Sequence, residues 1–206
     1  MSQDVIDNLY HAFRKVPQPI KIEGCTVCCV TEEELNDLEK GIHSAAKSSV
    51  STLAHNGMST VGSADDYKYF LPRILHEMIE DEEFWFLCED ALTRRIKQAG
   101  FDNWTIEEKA KTLDALKVIF EKQCKSTNII ELEYWIHALI IAGFDISHFL
   151  KLLDKPEHEL TKATLILNRF EFPKYKGANK VCIGSDNVTT KQFQPIKDWV
   201  ENTLKV

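Results

Sequence analysis

The stretch STVGSADDYKYFLPRIL, residues 59–75, decides the fold of this chain. Ser63 followed three positions later by Asp66 is a capping pair, a hydroxyl that accepts a first-turn backbone N–H and an acid that reaches back to the cap's own N–H. Asp65 and Asp66 also meet the positive end of the helix dipole. Behind them Tyr67, Phe70, Leu71, Ile74, Leu75 and Met78 recur at spacings of three and four, which puts them on one face of a helix. Pro72 inside this run removes one backbone hydrogen bond and predicts a bend in the axis. Arg73 beside it is placed to reach an acid across a helix interface.

The same capping signature opens four more segments, at Thr31 with Glu34, Thr105 with Glu108, Asn128 with Glu131 and Thr189 with Gln192. After Thr31 the apolar residues Leu35, Leu38, Ile42, Ala45, Ala46, Val50 and Leu53 keep helical spacing. After Thr105 come Ile106, Ala110, Leu113, Leu116 and Phe120. Val5, Ile6, Leu9, Tyr10 and Phe13 make a short amphipathic opening helix, and Phe84, Trp85, Cys88, Leu92 and Ile96 share another helical face. Residues 129–142, IIELEYWIHALIIA, are apolar nearly all round, as in a helix enclosed by others, and predict the central helix. Gly143 ends it. Ile146, Phe149, Leu150 and Leu153 begin a short helix that stops near Asp154 and Pro156, and a further helix runs from about Glu157 to Arg169. The stretch EFPKYKGANKVCIGSDNV, residues 171–188, carries Pro173, Gly177 and Gly184 and predicts a loop or a small hairpin. Phe193, Ile196, Trp199, Val200 and Leu204 mark a last helix.

Eight or nine helices with short connections make an all-α fold, an irregular multi-helix bundle or a short helical array. No fixed period repeats along the chain, as an array would require, so the bundle is expected, as a single α-helical domain over residues 1–206. With 206 residues, 44% hydrophobic and 28% charged, the composition is that of a globular domain. Such a domain buries roughly 70% of its unfolded surface and needs no disulfide or metal to stay folded. The opening MSQDVIDNLYHAF is acidic and amphipathic where a secretory leader would be basic and then apolar, and no apolar run is long enough to span a bilayer. A cytoplasmic protein with free thiols and no membrane association is expected.

The net charge of −7 argues against direct nucleic-acid binding, which needs a basic stripe. The charge is uneven. Glu77, Glu80, Asp81, Glu82, Glu83, Glu89 and Asp90 fall in fourteen residues that hold no Lys or Arg, with Phe84, Trp85 and Phe86 among them. From Lys174 onward the chain leans basic.

The cluster Cys25, Cys28 and Cys29 in GCTVCCV has three readings: packing residues on an extended approach to the helix capped by Thr31, half of a zinc site, or a redox pair. Zinc wants four ligands, and Cys88, Cys124 and Cys182 each stand alone in sequence. His137 lies in the apolar helix and reads as a hydrogen-bonded core histidine, while His43 and His76 lie on amphipathic helices with no nucleophile beside them. No Gly-rich phosphate loop occurs. No catalytic residue, metal or cofactor is expected, and the chain is read as a binding protein and not an enzyme.

The order CTVCC, then TVGSADDYKYFLPRIL, then EFWFLCEDAL resembles a family of bacterial all-helical proteins that share a CxxCC…TVG…DDxxxFLPRI pattern over about the first two thirds of the chain. That resemblance names a lineage and implies no reaction. In size, acidity and helical fold the chain is also similar to immunity proteins of contact-dependent growth inhibition systems. This likeness implies a toxin inhibitor acting by protein–protein interaction, which occludes the active site of a cognate toxin, a basic RNA-cleaving nuclease. An acidic inhibitor can fill a phosphate-binding cleft and gain electrostatically steered association. Glu77, Glu80, Asp81, Glu82, Glu83, Glu89 and Asp90 are the expected partner-binding surface. The alternatives are a zinc-binding or thiol-redox protein centred on Cys25, Cys28 and Cys29, and a helical scaffold for another partner.

Overall fold

Helix starts are decided by side chains that satisfy the first free N–H groups, and in the computed structural model, which describes residues 2–80, 89–125, 129–167, 180–183 and 186–204, four of the five expected capping pairs are formed. Thr31 Oγ1 accepts the Glu34 N–H at 3.1 Å and Glu34 Oε2 accepts the Thr31 N–H at 2.8 Å. The same exchange joins Ser63 with Asp66 (3.3 and 2.7 Å), Thr105 with Glu108 (3.2 and 2.8 Å) and Thr189 with Gln192 (3.3 and 3.0 Å). Asn128 of the fifth pair lies outside the described residues.

The first compact unit spans residues 1–119 and the second 120–206. In chain order the first holds α1 (Ser2–Phe13), α2 (Glu32–Leu38), α3 (Lys47–Asn56), α4 (Ala64–Glu80), α5 (Glu89–Gln98) and most of α6 (Ile106–Lys125). The second holds the end of α6, then α7 (Ile129–Ile141), α8 (Ser147–Leu153), α9 (Glu159–Leu167), the hairpin β1 (Lys180–Ile183) and β2 (Asp186–Thr189), and α10 (Thr190–Leu204). The fold is all-α, with ten α-helices among the described residues where eight or nine were expected. The hairpin is antiparallel and pairs Lys180 with Thr189 and Ile183 with Asp186. It falls on the segment expected to be a loop or small hairpin and runs one residue past it, to Thr189.

The additional helix comes from the run behind Thr31, which is two helices. Gly41 takes φ +95°, a left-handed conformation that side chains oppose, and its N–H returns to the Leu38 carbonyl at 3.0 Å. Asp37 then binds the far side of the turn, its carboxylate accepting the Ala46 N–H at 2.6 Å and meeting Lys40 Nζ at 2.8 Å. Ile42 and Ala45 remain buried although the backbone around them has left the helix, so the apolar period records burial here and not helix. His43 accordingly sits in a turn, not on an amphipathic helix.

The core of the first unit is built on α4, whose Tyr67, Phe70, Leu71, Ile74, Leu75 and Met78 are fully buried, with Ile6 and Leu9 of α1 and Val50 and Leu53 of α3. The helix continues through Pro72, itself buried. Arg73 meets an acid on its own helix and not across an interface, with Nε 2.5 Å from Glu77 Oε1 four residues on. Arg95 of α5 donates to the carbonyls of His55 and Gly57 at the end of α3. In the second unit, Leu132, Trp135, Ile136 and Leu139 of α7 form the core with Phe120, Phe149, Leu153, Phe193 and Ile196. None of the helices among the described residues is long and apolar enough to cross a membrane.

Candidate functional site

Of the seven acids expected to bind a partner, Asp81, Glu82 and Glu83 lie outside the described residues, as do Phe84, Trp85, Phe86 and Cys88. Glu89 and Asp90 open α5. Glu77 and Glu80 close α4, and both carboxylates already have partners. Glu77 is mostly buried, paired with Arg73 and 4.0 Å from Lys47 Nζ. Glu80 is half exposed, with Oε2 3.0 Å from His76 Nε2. The other ring nitrogen of His76 lies 3.2 Å from the Tyr10 hydroxyl, and Tyr10 stacks on His43 with centroids 5.3 Å apart. Burial pushes the Tyr10 phenol up to about 12, with Glu77 and Glu80 adding to the rise and Arg73 opposing it. The end of α4 is therefore a polar network between α1, α4 and the turn holding His43. Nothing in the sequence pointed to it, because Tyr10 and His76 are 66 positions apart and no local pattern links them.

The three cysteines are brought together, and not as an extended segment. The Cys29 and Val30 N–H groups both return to the Cys25 carbonyl, at 3.1 and 3.3 Å, so residues 25–30 form a tight turn. The Cys25 and Cys28 Sγ atoms lie 3.3 Å apart, and those of Cys28 and Cys29 2.8 Å apart. Cys28 is exposed and the two flanking cysteines are partly buried. The turn is clamped at its start. Gly24 pairs with Val61, the Cys25 N–H donates to the Thr60 carbonyl at 2.8 Å, and the Gly62 N–H donates to the Glu23 carbonyl at 2.7 Å. Its end is held by the Thr31 capping box of α2.

Electrostatics separates the thiols. The Cys28 thiol, then the backbone N–H groups of Val27 and Cys28, stabilise a negative Cys25 sulfur and hold its pKa below the ordinary thiol value. Cys28 is pushed the other way, to about 12, by its hydrogen bonds with Cys29 and then Cys25. Cys124 is fully buried in α6, and burial drives its thiol to about 12 as well, which makes it inert.

One set of metal-type ligand atoms converges elsewhere. Glu121, Glu157 and His158 bring theirs within 4.8 Å of one another. A cation is already built in there, because Lys155 Nζ lies 2.5 Å from Glu121 Oε1 and its hydrogen bond holds the Glu121 carboxyl below the usual range. His137 of α7 is half-buried, with Nε2 4.0 Å from Glu133 Oε1, and burial lowers its pKa.

Of these arrangements, only the cysteine turn combines exposure, converging reactive atoms and a rigid support. No protein-family model, curated protein or solved structure matches the chain.

Proposed function

We propose that this protein acts in the bacterial cytoplasm by binding and without catalysis, as an immunity protein that occludes the basic active site of a cognate toxin, an RNA-cleaving nuclease. The observation that carries this reading is the separation of charge between the two units. Residues 1–119 hold twenty-one Asp and Glu against thirteen Lys and Arg, a net −8. Residues 120–206 hold eleven against twelve, a net +1. The whole negative charge of the protein thus belongs to one unit, and a partner with a phosphate-binding cleft is drawn to it.

On this reading the helices are an irregular bundle, a folded scaffold that limits the ordering cost of binding. Glu77 contributes less than its sequence position implied, because Arg73 and Lys47 already meet it. Among the described residues, exposed acids such as Glu32, Glu33 and Asp65 add to that charge.

Co-expression with the product of the gene immediately upstream tests the class. Rescue of growth is expected, and unrelieved toxicity removes the proposal. Charge reversal then locates the surface. Replacing Asp81, Glu82 and Glu83 together by Lys should weaken binding and flatten its salt dependence, while Glu32→Lys with Glu33→Lys serves as the comparison. Unchanged affinity in the first variant and loss in the second would move the surface to α2.

A further inference from the structure

We propose that Cys25 and Cys28 form a redox-active dithiol that exchanges with small disulfides of the low-molecular-weight thiol class, closing a Cys25–Cys28 disulfide. The site needs no partner protein, so failure of the growth-rescue experiment leaves it untouched.

Three features of the turn carry it. The first is support. Pairing of Gly24 with Val61 and the Cys25 N–H bond to Thr60 fix the turn's start. The position next to Cys25 has no room for a side chain, since a Cβ on Gly24 would come 2.6 Å from Val30 Cγ1. The full capping box between Thr31 and Glu34 fixes the other end. Sulfurs held this way need little reorganisation to react.

The second is arrangement. Cys28 stands between its neighbours, 3.3 Å from Cys25 and 2.8 Å from Cys29, and among the described residues the three do not close into a set of mutually adjacent ligand atoms as a metal would require. Among the described residues the one set of three ligand atoms within 4.8 Å of one another is Glu121, Glu157 and His158. Two sulfurs three positions apart, with one of them central, suit pairwise exchange better than coordination.

The third is a division of labour. Cys25, stabilised as the thiolate by the Cys28 thiol and two backbone N–H groups, is the attacking sulfur. Cys28, kept protonated by its neighbours, is the resolving one. Val27, 93% exposed at the tip of the turn, gives an incoming molecule apolar surface next to both.

The exchange balances without any further reactant. The Cys25 thiolate attacks one sulfur of a disulfide, forming a mixed disulfide and releasing the other half as a thiolate. Cys28 then loses its proton to solvent and attacks Cys25 Sγ, closing the protein disulfide and expelling the second half. The protein loses two electrons and two protons, and the small disulfide becomes two thiols.

The test uses the reduced full-length protein and glutathione disulfide, read by intact mass and by peptide mapping of the linked cysteines. Wild type should lose two hydrogens and yield a 25–28 cross-link, with Cys124 untouched. Cys28→Ser should trap one glutathione on Cys25, Cys25→Ser should abolish the cross-link and slow adduct formation by about tenfold or more, and Cys29→Ser should still close. Helical circular dichroism confirms that each variant is folded, and mapping of wild type reads the site without any substitution. Closure through Cys28 and Cys29, adducts spread evenly over the three thiols, or stoichiometric zinc that must be stripped before any thiol reacts would each overturn the proposal. The zinc result would replace it with a metal site.

Discussion

Asp37 stands where an unbroken apolar period ceases to be a helix. Its carboxylate gathers Lys40, Ser49 and the Ala46 N–H, in that order of influence, and is held down to about 2. Asp37→Asn keeps the shape and removes the charge, and should cost about 1–3 kcal/mol in a urea titration, as for other hydrogen bonds to charged groups. The folded pKa of about 2 lies below the unfolded value of about 3.9. The contribution is therefore complete above pH 4 and is lost as pH falls toward 2. Stability of the Asn variant should show a shallower decline than wild type across that window. Gly24 acts through volume. A methyl group there meets Val30 and Leu35, so Gly24→Ala should destabilise by about 1–3 kcal/mol, the usual cost of overpacking, and should also slow closure of the adjacent dithiol. Neither role is visible locally: Asp37 reads as one more polar residue on a helix, and Gly24 as an ordinary turn residue.

At the scale of elements, the caps were legible, as were the stops at Gly143 and Asp154, and the break between α2 and α3 was not. A hydroxyl and an acid or amide three residues apart form a self-contained pattern, which is why Thr31, Ser63, Thr105 and Thr189 open helices where expected. α2 has only seven residues, too short to persist by propensity, so its capping box matters more than usual. Thr31→Ala should lower stability by about 1 kcal/mol, and hydrogen exchange should show faster opening of residues 25–35 than of α4. The break between α2 and α3 depends on Asp37 reaching nine residues ahead to the Ala46 N–H. Spacing alone cannot register a bond of that kind, and Ile42 and Ala45 stay buried whether or not the backbone is helical. Arg73 illustrates the reverse case. Its expected acid lay across an interface, yet the acid four residues on, at helical spacing, was the nearer partner.

At the scale of the whole molecule, charge was readable in total and along the chain, and its assignment to one unit was not. If the acidic unit meets a basic partner as proposed, association should slow by about tenfold between low and physiological salt, while dissociation changes little; stopped-flow measurement separates the two. The candidate thiol site was legible as a spacing, Cys25-x-x-Cys28-Cys29, and the turn that brings its sulfurs together was not. By itself, the sequence determined the all-α class, four of the helix starts and the apolar faces of α4 and α7, because each follows from interactions within a few residues of one another. Tertiary structure decided that Tyr10 joins His76 and that the sulfurs of Cys25, Cys28 and Cys29 converge on a clamped turn. Those outcomes depend on contacts between segments tens of residues apart, where neither periodicity nor composition carries information.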